Sequence, residues 1–308
     1  MSRYPGAVQR YQSNANLGPS TSNILLFGQI ASLNQQAVGT ADWGVVSSAQ
    51  IRHTYDLGRQ DNSAIETQFS AYVNRQFTTS VANVTLLDLI SGPRFQIFNG
   101  TFEDVTVKPF FSGGYIWVND APYYGSYGAG VETAALLSDR LRNISTFQWR
   151  RHDNTDNWYL PTNNQYRGVE YTATTSLQFA LAANVALFAT GTATRYQTDQ
   201  TPQQSYSLYG AGGGMTFRFA DPVLKTNLPW SVTISVTENW WSYDAPDPQV
   251  DPNTARQQID TIASITFAIP FDDRTTFSIT GGRFVRQATL ANYAFENNSV
   301  MFGIGWRF

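Results

Sequence analysis

The chain offers few residue types that could carry out catalysis. It contains no Cys and two histidines, His53 and His152. A nucleophilic triad needs Ser and His within hydrogen-bond reach, but Ser47 lies about 20 Å from His53 along the same predicted strand. The sequence singles out no acidic pair for acid–base catalysis. We therefore expect no enzymatic activity and no catalytic residues, and we interpret His53 as a residue of a membrane interface.

Two further motifs are weak candidates for ligand binding. The glycine-rich segment 210–214 lacks the following Lys-Ser/Thr and helix of a phosphate loop. Its glycines are expected to bend a strand or to leave room for aromatic neighbours. The segment 244–253 offers carboxylate oxygens to Ca²⁺, but its prolines favour an extended path and EF-hand spacing is absent. We expect no cofactor and no metal ion, and an ordinary solvated loop at 244–253.

The composition then restricts the kind of protein that could contain these residues. Of 308 residues, 42% are hydrophobic, 14% aromatic and 14% charged, whereas a soluble domain has about 25% charged residues. The aromatic content excludes a disordered chain. The mean hydropathy of −0.29 and the lack of a long apolar run exclude a helical membrane protein. The net charge of −3 does not favour binding of nucleic acid. A transmembrane β-barrel combines these properties.

The strand pattern supports this class. Apolar and polar residues alternate almost perfectly over 168–181, and the same alternation recurs over 42–57, 63–78, 230–243 and 256–269. Such alternation gives a strand two chemically different faces. We predict an all-β, antiparallel, up-and-down transmembrane barrel of about 14 strands. No helix is predicted.

The connections and the chain ends give the expected organisation. We predict an extended periplasmic lead-in over 1–21 and a barrel over 22–308, with its first strand at 22–34. Long connections at 153–166, 198–203, 244–255 and 288–295 alternate with short turns, as in barrels with short periplasmic turns and longer external loops. Both termini are then periplasmic. Because residues 1–5 show no signal peptide, we expect a mature or truncated chain, such as the C-terminal domain of a longer protein.

The two faces receive different roles in this prediction. Apolar side chains should face lipid, and aromatic residues near strand ends should form interface girdles. Three groups of aromatic residues are the candidates for these girdles: Trp117, Tyr123 and Tyr124; Trp149, Trp158 and Tyr159; Trp240, Trp241 and Tyr243. Charged residues in strands should point inward. The predicted pore-lining residues are Arg52, Glu66, Gln68, Asp88, Arg94, Lys108, Glu132, Arg150, Glu170, Arg218 and Asp260. They could line a polar channel on the order of 10 Å wide, or form a salt-bridged interior that only stabilises the barrel.

The C-terminal strand carries a distinct pattern. Five apolar residues, three of them aromatic, occupy one face of it: Val300, Phe302, Ile304, Trp306 and Phe308. The pattern resembles the C-terminal β-signal of bacterial outer-membrane barrels, which ends on an aromatic residue. That resemblance implies recognition by the barrel-assembly machinery.

Three segments in the first third of the chain suggest a family. The segments 54–58 (TYDLG), 74–77 (NRQF) and 89–95 (LISGPRF) resemble the opening hairpins of barrels that follow tetratricopeptide repeats. The nearest resemblance is to the surface lipoprotein assembly modifier family, with a 14-strand barrel, and a looser one is to the cellulose-export subunit. The resemblance implies an export role with a periplasmic scaffold and an exported cargo, although this chain shows no repeats.

The expected function follows from the fold and the resemblance. We expect a translocation or export conduit in the outer membrane of a Gram-negative bacterium, surrounded by outer-membrane lipid. A diffusion porin for transport of small solutes is the first alternative, with 153–166 as the best candidate for a constriction loop. An outer-membrane enzyme or adhesin is the second.

Overall fold

The computed structural model describes residues 2–3, 6–33, 37–59, 63–98, 105–224 and 226–307. Its strands, in chain order, are β1 (Ser2–Arg3), β2 (Gly6–Gln12), β3 (Asn23–Leu26), β4 (Gln29–Ser32), β5 (Asp42–Asp56), β6 (Ala64–Gln76), β7 (Val84–Phe98), β8 (Val105–Val118), β9 (Ala121–Ser138), β10 (Leu141–Asn154), β11 (Gly168–Ala182), β12 (Val185–Thr198), β13 (Tyr206–Phe219), β14 (Trp230–Pro246), β15 (Ala255–Pro270), β16 (Thr275–Ala288) and β17 (Phe295–Trp306). Short 3-10 turns occupy Ser80–Ala82, Asn163–Tyr166, Pro202–Gln204 and Ala291–Tyr293. No helix among the described residues is long and apolar enough to cross a bilayer.

Fourteen strands close into one antiparallel barrel, which confirms the predicted fold class. Strands β5 to β17 pair in succession, and β2 closes the ring by pairing with both β17 and β5. Gly6 pairs with Gly305 and Gln12 with Ser299 along the closing seam. In lipid, such closure gives every strand a hydrogen-bonding neighbour on both sides.

The beginning of the barrel differs from the sequence-based prediction. The first barrel strand is β2, which lies within the segment predicted as a lead-in. The predicted first strand, 22–34, is instead the small hairpin β3–β4, which forms a separate two-stranded sheet. Its turn is tight because Phe27 and Gly28 both have positive φ angles, 50° and 75°, as a two-residue primed turn requires.

The barrel has two distinct ends. Strand β2 begins and β17 ends at the same end, here called the terminal end, and the opposite one is called the loop end. The predicted long connections all lie at the loop end. The β3–β4 hairpin packs there: the Phe27 N–H donates to the Gln249 carbonyl at 2.8 Å, and Asn292 Nδ2 donates to the Leu25 carbonyl, also at 2.8 Å.

The register separates an inward from an outward face. Arg150 on β10 contacts Asp88 on β7 at 2.8 Å, and because these strands are not neighbours, the contact crosses the interior. Following the strand pairs from Arg150 around the ring assigns each alternate residue to the interior. The opposite face carries the exposed apolar side chains, for example Phe111, which is 76% exposed, and Tyr209, 63%.

Several strand charges face outward, contrary to the expectation that they point inward. Arg151, Arg195 and Arg283 alternate with the inward residues of their strands and lie in the loop-end halves of those strands. Each pairs with an outward or loop carboxylate: Arg151 with Asp199, Arg195 with Asp244, and Arg283 with Glu296. An outward charge in a barrel strand costs less near the border of the bilayer than at its midplane.

The closing seam can be tested with a pair of cysteines, since the chain has none of its own. Ala7 and Ile304 are direct partners across β2 and β17, close enough for a disulfide. The variant Ala7→Cys/Ile304→Cys should form an intramolecular disulfide on mild oxidation, detected by a non-reducing gel.

The matched control is Ala7→Cys/Phe277→Cys. Phe277 pairs with Ile304 and so lies one strand further away, about 9.6 Å from Ala7, beyond the reach of a disulfide. Equal cross-linking of both variants, or of neither, would show that the barrel does not close at β2 and β17.

Candidate functional site in the barrel lumen

All predicted pore-lining residues lie on the inward face by the strand register. They do not form one site but separate into two groups at different positions along the barrel axis. Near the terminal end are Arg52, Glu66, Gln68, Arg94, Lys108, Glu132 and Arg218, and nearer the loop end are Asp88, Arg150, Glu170 and Asp260. Their role in passage through the barrel stays a prediction.

Glu66 is the centre of the terminal-end group. Its side chain is 5% exposed, and its carboxylate lies 2.6 Å from Arg52, 3.0 Å from Arg94 and 3.6 Å from Lys108. Lys108 also contacts Glu132 at 3.0 Å. These residues come from β5 to β9, so five adjacent strands are joined on their inner side. Three cations around two carboxylates leave this wall with an excess of positive charge.

A cavity of about 590 Å³ opens beside this network at the terminal end. Arg94 and Arg142 lie on its wall, together with Gln96, Thr106 and Leu136. Arg52 and Arg94 keep 47% and 34% of their side chains exposed. The network therefore stabilises the wall and still presents charged groups to the lumen, so it has features of both predicted roles.

Nearer the loop end, two other pairs anchor inward charges. Arg150 Nη2 donates to Asp88. Arg286 donates through Nε and Nη2 to both oxygens of Asp260, each at 2.6 Å, and Trp241 Nε1 donates to the same carboxylate at 3.0 Å. Asp260 is 3% exposed, and its three hydrogen bonds offset the loss of water. Asp260 is thus a structural anchor of the wall.

Sequence reasoning placed several inward residues at the membrane interface. Tyr124, Trp241 and Tyr243, predicted for the aromatic girdles, face the interior. His152 also faces the interior, whereas His53 faces outward. The sequence of β14 does indicate this orientation. Trp241 and Tyr243 occupy the same set of alternate positions as the polar residues of the strand, such as Thr237. The alternation of β14 therefore predicts the inward orientation, whereas aromatic residues near a strand end are also typical of a girdle.

Other aromatic residues predicted for the girdles do face outward. Trp149 and Trp240 face outward, Trp240 with 41% exposure. A further outward aromatic cluster lies at the terminal end, where the Trp230 and Phe267 rings are 5.4 Å apart and Phe219 contacts both.

The acidic segment 244–253 uses its carboxylates in turns. Asp247 Oδ1 accepts the Gln249 N–H, and Asp251 Oδ1 accepts the Asn253 N–H, each at 3.0 Å. The bond from Asn253 lowers the pKa of Asp251. Within the described part of the chain, no group of three or more His, Asp or Glu side chains could hold a metal ion.

Asp221 shows the same use of a carboxylate at the terminal end. It accepts backbone N–H groups of Val223, Leu224 and Thr226 at 2.7–2.9 Å. These bonds outweigh the opposing effect of desolvation and lower the pKa of Asp221 to about 2. The group is ionised throughout the neutral range and fixes the connection between β13 and β14.

The predicted assembly residues share the outer face of β17. Val300, Phe302, Ile304 and Trp306 are 39–41% exposed and alternate with inward residues such as Met301. Phe308 lies outside the described residues.

The contribution of the Glu66 network to the stability of the barrel can be measured by one isosteric substitution. Glu66→Gln removes the carboxylate charge that three cations share, and we expect it to lower the free energy of unfolding by about 2 kcal/mol. Urea titration in lipid vesicles, followed by gel mobility of the folded form, measures this.

Glu132→Gln is the matched control, because Glu132 is 36% exposed and contacts one cation, Lys108. Its expected loss is no more than about 0.5 kcal/mol. A loss for Glu66→Gln that does not exceed the control's would contradict the central position of Glu66.

Comparison with known proteins gives one family. The pattern of the family described as surface lipoprotein assembly modifier matches residues 97–280. No curated protein matches the chain.

Several solved structures match the chain over its length at low sequence identity. The trimer form of in-vitro folded OmpT, an outer-membrane protein of Vibrio cholerae, is 10% identical with a TM-score of 0.50, and the match covers 100% of this chain and 99% of that chain. An outer-membrane channel from Pseudomonas putida F1 is 13% identical, TM-score 0.49, covering 100% and 96%. An anion-selective porin from Comamonas acidovorans is 9% identical, TM-score 0.48, covering 100% of each chain.

Proposed function

Because the chain belongs to the surface lipoprotein assembly modifier family, we propose that its barrel is a conduit through which lipoproteins reach the cell surface. The family and the closed barrel place the chain in the bacterial outer membrane. The family match, which covers more than half of the chain, is the observation that carries the proposal.

The lumen chemistry supports this role. A polypeptide that crosses a membrane needs partners for its backbone N–H and C=O groups, and the inner wall carries polar and charged side chains at both ends of the barrel. Positive groups at the terminal end, around Arg52, Arg94 and Lys108, can attract the acidic residues of a passing chain. Their ion pairs with Glu66 and Glu132 hold them in place.

The C-terminal strand supports a second, separate proposal. The outward apolar row Val300, Phe302, Ile304 and Trp306, together with Phe308 as the last residue in the sequence, is proposed as the signal that the barrel-assembly machinery recognises. We also propose that a periplasmic scaffold delivers the lipoprotein cargo to the barrel.

The export role is tested in the native host by deletion of the gene. Lipoproteins that normally appear on the surface should remain in the cells at unchanged total amounts but become protected from protease added outside. Complementation with the wild-type chain should restore their exposure.

A lumen-blocking variant distinguishes passage through the barrel from an indirect effect. Thr174 faces the lumen and is exposed, whereas the neighbouring Ala173 faces outward. Thr174→Cys carrying a bulky, water-soluble maleimide should lose export, and the same variant without reagent should keep it. Ala173→Cys faces lipid and should not react, so the same treatment of that variant controls for effects of the reagent elsewhere in the cell. Unchanged surface lipoproteins in the deletion strain, with steady ion conductance of the purified chain, would contradict export and favour the diffusion porin.

A further inference from the structure

A second cavity lies inside the loop end of the barrel and has a different chemistry from the terminal-end cavity. Its volume is about 450 Å³, within the range of small-molecule sites. The side chains that define it are Tyr124, Glu170, Tyr196, Tyr206, Tyr243 and Arg256. Most of the wall is therefore aromatic, with one carboxylate and one guanidinium.

The strand register places several of these lining side chains in a row across neighbouring strands. Glu170 on β11 pairs with Tyr196 on β12, Tyr196 with Tyr206 on β13, and Tyr206 with Tyr243 on β14. Directly opposed residues have Cβ atoms about 5 Å apart, so four neighbouring strands set these side chains side by side. The sheet fixes their positions before any ligand binds.

The rings form a continuous surface. The Tyr196 and Tyr206 centroids are 5.5 Å apart, as are those of Tyr206 and Tyr243. His152 continues the row, 5.5 Å from Tyr196 and 4.8 Å from Tyr124. Aromatic faces carry negative quadrupole potential, and several such faces around one cavity favour a cation.

One cation already occupies part of this surface. The Arg256 guanidinium lies 3.5 Å from the centroid of the Tyr243 ring and 4.1 Å from that of Tyr293. The stacking shows that the rings at this end accept a positive charge. Because Arg256 repels a second cation, a ligand is expected at the opposite end of the row, near Glu170, Tyr196 and Tyr124.

Glu170 supplies the negative charge at that opposite end. Among the described contacts its carboxylate accepts a hydrogen bond from Thr172 Oγ1 at 3.3 Å and lies 3.8 Å from His152 Nε2. The nearest arginine on the next strand, Arg150, is paired with Asp88. His152 is 8% exposed, and its Nε2 is buried without a hydrogen-bond partner in the described structure. The charge and the polar atoms here remain available to a ligand.

We propose that this loop-end pocket binds a quaternary ammonium ligand between Glu170 and the tyrosine rings. A quaternary ammonium has no N–H group to satisfy, so rings and one carboxylate are sufficient for it. The site is independent of the export proposal, since it requires only a ligand that enters from the loop end.

The test is a calorimetric titration of the purified full chain with choline. The detergent is a maltoside, because choline-containing detergents would occupy the site. The control ligand is 3,3-dimethyl-1-butanol, in which carbon replaces the charged nitrogen of choline. Choline should bind, and the neutral analogue should not bind over the same range.

Two substitutions locate the site. Glu170→Gln and Tyr206→Leu should each weaken choline binding by at least about tenfold, while Tyr206→Phe, which keeps the ring, should retain it. Tyr209→Leu is the matched control, since Tyr209 lies on the same strand but faces outward with 63% exposure. Gel mobility of the unheated protein verifies that each variant is folded.

Three results would overturn the proposal. They are equal binding of the neutral analogue, which indicates a merely apolar or sugar-type pocket, no binding of choline, and unchanged affinity in folded Glu170→Gln and Tyr206→Leu.

Discussion

The need to satisfy every backbone hydrogen bond without water governs this structure. In a bilayer, a free strand edge would leave a row of N–H and C=O groups without partners, and each would cost several kcal/mol. The short strand β2 removes that edge by pairing with both β17 and β5. Once the sheet is closed, each strand has one face toward lipid and one toward the lumen, and the even strand number brings both termini to one end.

The distribution of charge follows from this division. Most of the strand charges lie on the inner wall, and several of them form ion pairs there. Glu66 joins cations from three strands, and Asp260 receives bonds from Arg286 and Trp241. The outward pairs Arg195–Asp244 and Arg283–Glu296 lie in the loop-end half. The composition thus reflects a wall that is polar inside and largely apolar outside.

The alternation of apolar and polar residues was sufficient to predict the barrel and the inward orientation of the candidate pore residues, because alternate residues of a strand always lie on opposite faces of a sheet. It could not identify β2, whose seven residues acquire strand character only by closing the ring. It also could not show that residues near 22–34 form a hairpin over the loop end, since this depends on contacts with Gln249 and Asn292. For Tyr243, the residue type and the position near a strand end favour an aromatic girdle, but the alternation along β14 decides that the side chain faces inward.

We propose that the polar face of the strands lines a water-filled lumen. Single cysteines along β14 test it most directly, with a water-soluble maleimide applied to the protein in lipid vesicles. Cysteines at Ser231, Thr233, Ser235 and Thr237, on the inward face, should react, and those at Val232, Ile234 and Val236 should be protected. Uniform reaction along the strand, or protection of the polar positions, would contradict the account.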